Sequence, residues 1–112
     1  MTPFALCTLD DIPDGGSKGF QVDVPNQLPL NLFVVRQQQK LYVYRNRCPH
    51  MGIPLEWVPD RFLDSSGTMI QCASHAALFV INSGKCVAGP CAGRKLEAIP
   101  FYIDQNTLFI TP

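Results

Sequence analysis

The sequence has little of what several large protein classes need. Nine Lys and Arg are balanced by nine Asp and Glu, so the basic surplus that holds nucleic acid is missing. No segment approaches the roughly 18 consecutive apolar residues of a membrane helix. The opening stretch MTPFALCTLDDIPDGG reaches Asp10 and Asp11 before any apolar run forms and carries no basic leader, so no export signal is expected. Together these absences lead to the expectation of a cytoplasmic protein with neither nucleic-acid nor membrane partners. Histidine is scarce as well: His50 and His75 are the only two.

What is present is globular in character. Of 112 residues, 46% are apolar and 16% charged, which is too apolar for a disordered chain. The length predicts one domain over residues 1–112. A domain of that size has a modest stability margin, to which a bound metal would add. The five cysteines, Cys7, Cys48, Cys72, Cys86 and Cys91, form an odd set. Without export signals such a set favours metal binding over a disulfide framework.

Short apolar runs broken by Gly, Pro, Asn and Asp predict an all-β fold. Strands are expected at Phe20–Val24, Leu32–Arg36, Leu41–Arg45, Met69–Cys72, Leu78–Ile81, Cys86–Ala88, Phe101–Asp104 and Leu108–Thr111. Turns are expected at Gln37–Lys40, at Asn82–Gly84 and at Gln105–Thr107. A short helical turn over Leu9–Ile12, capped by Thr8, is also compatible with the sequence. There is no internal repeat. Nearly all the unusual chemistry falls between about residues 47 and 90, which predicts a smaller subdomain set on a base formed by the flanking strands.

Each histidine lies within three positions of a cysteine, as Cys48-Pro49-His50 and Cys72-Ala73-Ser74-His75, with residues 51–71 between them. Thiolate and imidazole together suit iron–sulfur, zinc or copper rather than calcium or magnesium. Zinc remains an alternative, although zinc pairs usually show C-x₂₋₄-C and H-x₃₋₅-H, and here each pair mixes the two residue types.

The Cys-x-His and Cys-x-x-His pair resembles the Rieske [2Fe–2S] family, and small soluble Rieske-type ferredoxins in particular. CPHMGIPLE (48–56) is similar to that family's first cluster-binding loop, and QCASHAALFVINSGKCVAGP (71–90) to its second loop and its proline-bearing third. The resemblance implies an antiparallel β-sandwich or barrel base with a smaller cluster-binding subdomain. It also implies one [2Fe–2S] cluster, with Cys48 and Cys72 on one iron and His50 and His75 on the other. Neutral imidazoles in place of two thiolates raise the potential to a range of roughly −150 to +300 mV.

Departures from the high-potential members of the family place this chain within that range. Those members have cysteines where this sequence has Ile53 and Ser74, so their inter-loop disulfide is absent. They also have a serine and a tyrosine where Ala77 and Phe79 stand, so two hydroxyl hydrogen bonds to cluster sulfur are absent. Both changes predict a potential near the bottom of the range. Met51, Ala77, Phe79, Gly89 and Pro90 are expected to surround the cluster, with Gly89-Pro90 as a cover. Cys7, Cys86 and Cys91 are read as bystanders, with Cys91 packing near the cluster.

Arg45 and Arg47 flank the first loop and are candidates for docking an acidic partner. Trp57 and Met51 could form an apolar docking surface or cap the core. A catalytic oxygenase would need a second iron on two histidines and a carboxylate, and both histidines are already used. The reading is therefore a one-electron carrier, not itself an enzyme, between a reductase donor and an oxygenase or other acceptor. The alternatives are a fixed small subunit of a larger redox enzyme such as a nitrite reductase, or a redox-sensing or metal-stabilised interaction module.

Overall fold

Along Leu30–Gln37 the four consecutive side chains of Leu32, Phe33, Val34 and Val35 are all buried. A strand buries successive residues only when both of its faces are covered, since alternate side chains point to opposite sides. This strand forms the middle of the molecule. The computed structural model describes residues 3–23, 29–49, 55, 60–73 and 77–111.

Among the described residues, nine strands make three antiparallel sheets. The central sheet has the order β2-β3-β4, from Gly16–Val22, Leu30–Gln37 and Lys40–Arg45. A second sheet, β1-β9-β8, joins Phe4–Thr8, Thr107–Ile110 and Phe101–Asp104. The third, β5-β6-β7, is built from Met69–Gln71, Leu78–Val80 and Cys86–Ala88.

The alternation of β3 and β4 distributes two cores. Leu32, Val34, Leu41 and Val43 pack with Ile12, Ile99, Leu108 and Ile110, between the central and second sheets. Phe33, Val35 and Tyr44 face the other way and pack with Ile70, Phe79, Ile81, Cys86 and Leu96. Phe62 stacks on Phe33 at 4.4 Å between ring centroids, bringing the segment after the first loop onto the central sheet. That segment is also fastened to β2, where Asp60 Oδ1 accepts from Gly19 N–H at 2.8 Å.

The expected strands from β3 onward all form, with ends shifted by no more than two residues. β2 begins earlier than expected, at Gly16, because pairing with β3 holds a glycine-containing segment of weak strand propensity. β1 has no counterpart in the sequence reading. It is a short edge strand, mostly exposed, and its register against β9 shifts between Ala5 and Cys7, which disrupts any alternation.

The turn after Thr8 is a 3₁₀ turn over Leu9–Asp11, with Thr8 N–H donating to Asp11 Oδ2 at 2.9 Å. The hydrogen bond from Thr8 holds the Asp11 carboxyl below the ordinary carboxylate range. Among the described residues, no helix is long and apolar enough to cross a membrane.

Candidate metal centre

Three chain segments carry the residues of interest. The first follows β4 and holds Cys48, the second joins β5 to β6 and begins at Cys72, and the third follows β7 and holds Gly89, Pro90 and Cys91. Each is fixed at its base by hydrogen bonds to the backbone. Cys72 N–H donates to the Ala77 carbonyl at 2.9 Å, which closes the base of the second loop. In the first, Asn46 Oδ1 accepts from Leu55 N–H at 2.8 Å, and Asn46 N–H donates to the Asn31 carbonyl on β3. In the third, Ala92, Gly93 and Arg94 N–H groups return to the carbonyls of Gly89, Cys86 and Cys91.

The loops are also fastened to one another. Ala73 N–H donates to the Leu55 carbonyl at 2.8 Å, joining second to first. Arg94 Nη1 donates to the Pro49 carbonyl at 2.9 Å, joining the chain after the third loop to the first. Third and second meet at Gly89, which has φ +97°, and a Cβ there would sit 2.8 Å from Ala77 Cα. Glycine is required at this point for both reasons, since no side chain fits and L residues avoid that backbone region.

Cys48 and Cys72 end up in one buried cluster, with 1% and 0% exposure. Ala77 and Phe79 are buried in the same cluster and carry no hydroxyl. Gly89 and Pro90 are exposed. Arg45 ends β4 with its side chain 3.7 Å from Glu97, and Arg47 is exposed. His50, His75, Met51, Ile53, Trp57 and Ser74 lie outside the described residues.

Cys86 and Cys91 belong to the same cluster as Cys48 and Cys72, with their sulfurs 2.8 Å apart. Burial, then the contact with Cys86 and the nearness of Cys48, push the Cys91 thiol up to about 12. None of the five cysteines forms a disulfide. Cys7, half-buried, packs against the other core.

The described part of this site suits an iron–sulfur group. Two soft donors come from separate, mutually fastened loops into an interior that excludes water, and a close backbone approach sits beside them. Two contributors were missed from sequence. Arg94 lies just past the third loop, where its charge was visible but its reach back to Pro49 was not. Leu55 acts through its backbone, which leaves no sequence signal.

The family model for the Rieske [2Fe-2S] domain matches residues 2–103. The chain belongs to the Rieske [2Fe-2S] domain family. It is 23% identical over 111 residues to the 3-phenylpropionate/cinnamic acid dioxygenase ferredoxin subunit of Photorhabdus laumondii subsp. laumondii, covering 99% of this chain and 95% of that one. Among solved structures, this Rieske protein is similar to the ferredoxin of carbazole 1,9a-dioxygenase from Nocardioides aromaticivorans IC177. The TM-score is 0.76 at 25% identity, with 100% and 99% of the two chains covered. A complex of reduced oxygenase and oxidized ferredoxin in carbazole 1,9a-dioxygenase contains a chain of the same fold, with TM-score 0.74, 21% identity and 97% and 92% coverage. Rieske membership brings with it one [2Fe–2S] cluster as the cofactor.

Proposed function

We propose that this Rieske protein is a cytoplasmic one-electron carrier that takes electrons from a reductase and delivers them to an oxygenase. In this reading Cys48 and Cys72 hold one iron and His50 and His75 the other. When bound, the cluster supplies a one-electron couple and nothing more. The observation that carries the reading is the pair of buried thiols on interlaced loops, in a family whose relatives include ferredoxin subunits of dioxygenases.

The chain's own residues have three tasks. The third sheet and its loops act as the cluster-binding subdomain, with Cys48 and Cys72 shielded from water in the shared core. Ala77 and Phe79 offer no hydroxyl to a cluster sulfur, which keeps the potential towards the low end of the Rieske range. Gly89 lets the third loop lie on the base of the second, with Pro90 following it as the outer cover.

Exposed Arg47 and Arg94 border the first loop, and Lys85 stands opposite Lys95. This basic surface suits an acidic face on the oxygenase.

The test has two stages. Anaerobic titration of the purified protein should take up one electron per chain, with a midpoint below about +100 mV. The reduced protein, mixed with the oxidised oxygenase of the same cells, should then lose its electron to it. A midpoint above that value contradicts the potential argument. A reduced protein that keeps its electron beside every oxygenase of its cells contradicts the carrier reading.

A further inference from the structure

Two buried thiols of the site have no part in the electron-carrier reading. Cys86, on β7, and Cys91, in the third loop, are each 1% exposed, and their sulfurs stand 2.8 Å apart. That is inside the ordinary contact distance of two sulfurs, and a disulfide of about 2.05 Å requires a closure of less than 1 Å. Cys91 Sγ donates to Cys86 Sγ, and Cys86 Sγ also lies 3.2 Å from the Ala88 carbonyl. Gly93 N–H donates to the Cys86 carbonyl and Cys86 N–H to the Arg94 carbonyl, so the backbone already turns the loop back on β7.

We infer that Cys86 and Cys91 form a reversible dithiol–disulfide pair, oxidised by a small-molecule disulfide such as glutathione disulfide, that fastens the third loop to β7. Cys91 is the attacking group because it lies in a loop whose neighbours Pro90, Ala92 and Gly93 are exposed, whereas Cys86 is held in a strand. Local opening of that loop brings Cys91 to the reagent. Opening also relieves the burial that raises the Cys91 thiol; its deprotonated sulfur then attacks the S–S bond of the small disulfide, one small thiolate leaves, and a mixed disulfide forms.

Cys86 sulfur then attacks the Cys91 side of the mixed disulfide and releases the second small thiolate. The two protons of the pair end on the two released thiols, and the pair loses two electrons to the reagent. The closed disulfide holds Gly89 against Ala77, at the base of the loop that begins with Cys72. The inference stands whichever redox partner the protein serves.

The test equilibrates the cluster-loaded protein anaerobically in mixtures of glutathione and its disulfide, then quenches, alkylates and digests with trypsin. Cleavage after Lys85 and Arg94 leaves both cysteines in one peptide, Cys86–Arg94. The expected result is a shift of that peptide from doubly alkylated to unalkylated and lighter by two hydrogen atoms, with the visible absorption of the cluster retained. In Cys91→Ser the Cys86 thiol should stay alkylatable at every ratio. A wild-type peptide that is doubly alkylated throughout overturns the inference. So does one that stops at a stable mixed disulfide, or disulfides to Cys48 or Cys72 that appear with bleaching.

Discussion

Tyr44 joins two parts of the molecule through one atom. Its hydroxyl donates to the Ile81 carbonyl at 2.6 Å, in the turn between β6 and β7, while its ring is buried in the core. Burial, and less so Tyr42, push its ionisation from the ordinary value of 10.0 up to about 12. A group whose folded pKa is raised stabilises the fold fully below the unfolded pKa, and the contribution is lost as pH rises through the folded value. Thermal melts should therefore show stability falling between about pH 10 and 12. Tyr44→Phe should lower stability near neutral pH by about 1–3 kcal/mol, because Ile81 keeps a buried carbonyl without its donor. It should also flatten the alkaline slope.

Gly89 is the second residue on which the site turns. Gly89→Ala places a methyl where Ala77 backbone already lies, at a φ that costs a side-chain-bearing residue about 1–2 kcal/mol before any clash. The variant should fold with its base intact and lose its cluster to a chelator faster than wild type, followed by bleaching of visible absorption.

At the scale of elements, the β3–β4 hairpin turns through Gln38 and Gln39, with φ values of 52° and 64°. Two successive left-handed residues are the backbone of a tight hairpin turn that asparagine and glycine normally fill. Gln39→Gly removes the strain of one of them against a smaller entropy cost. It should raise stability by about 0.5–1 kcal/mol in denaturant melts.

The turn was legible in the sequence because polar residues interrupt two apolar runs. Its strain was not legible, since glutamine carries no turn signature. Strands whose apolar residues face a core were likewise legible, as in Leu41–Arg45 and Cys86–Ala88. β1 was hidden because its register shifts and it buries little. In the candidate site, the spacing of Cys48 and Cys72 beside the two histidines is plain in the sequence, and the structure describes the two cysteines, both buried in one cluster. The ties from Arg94 to Pro49 and from Ala73 to Leu55 could not, because they depend on how separate loops fold back on each other.

In the whole molecule, the central sheet separates two cores of different purpose. One, with Leu32, Val34, Leu108 and Ile110, is purely aliphatic in these members and holds the base together. The other contains four cysteines, Cys48 and Cys72 among them. Charge is balanced overall, yet Arg47, Lys85, Arg94 and Lys95 gather around the first and third loops and their flanking strands. Arg47→Glu should slow electron delivery to the oxygenase by about tenfold at low salt, with the difference shrinking as ionic strength rises. Stopped-flow mixing at several salt concentrations measures it.

The central claim is that two thiols and two imidazoles clasp one [2Fe–2S] cluster. Pulsed electron paramagnetic resonance of the reduced protein tests it most directly, by detecting nitrogen nuclei bound to the paramagnetic centre. The account predicts couplings from two imidazole nitrogens, with the Rieske spectrum lost or converted in His50→Ala and in His75→Cys. An unchanged spectrum in His50→Ala, or a colourless protein that binds zinc and gives no signal, would contradict it.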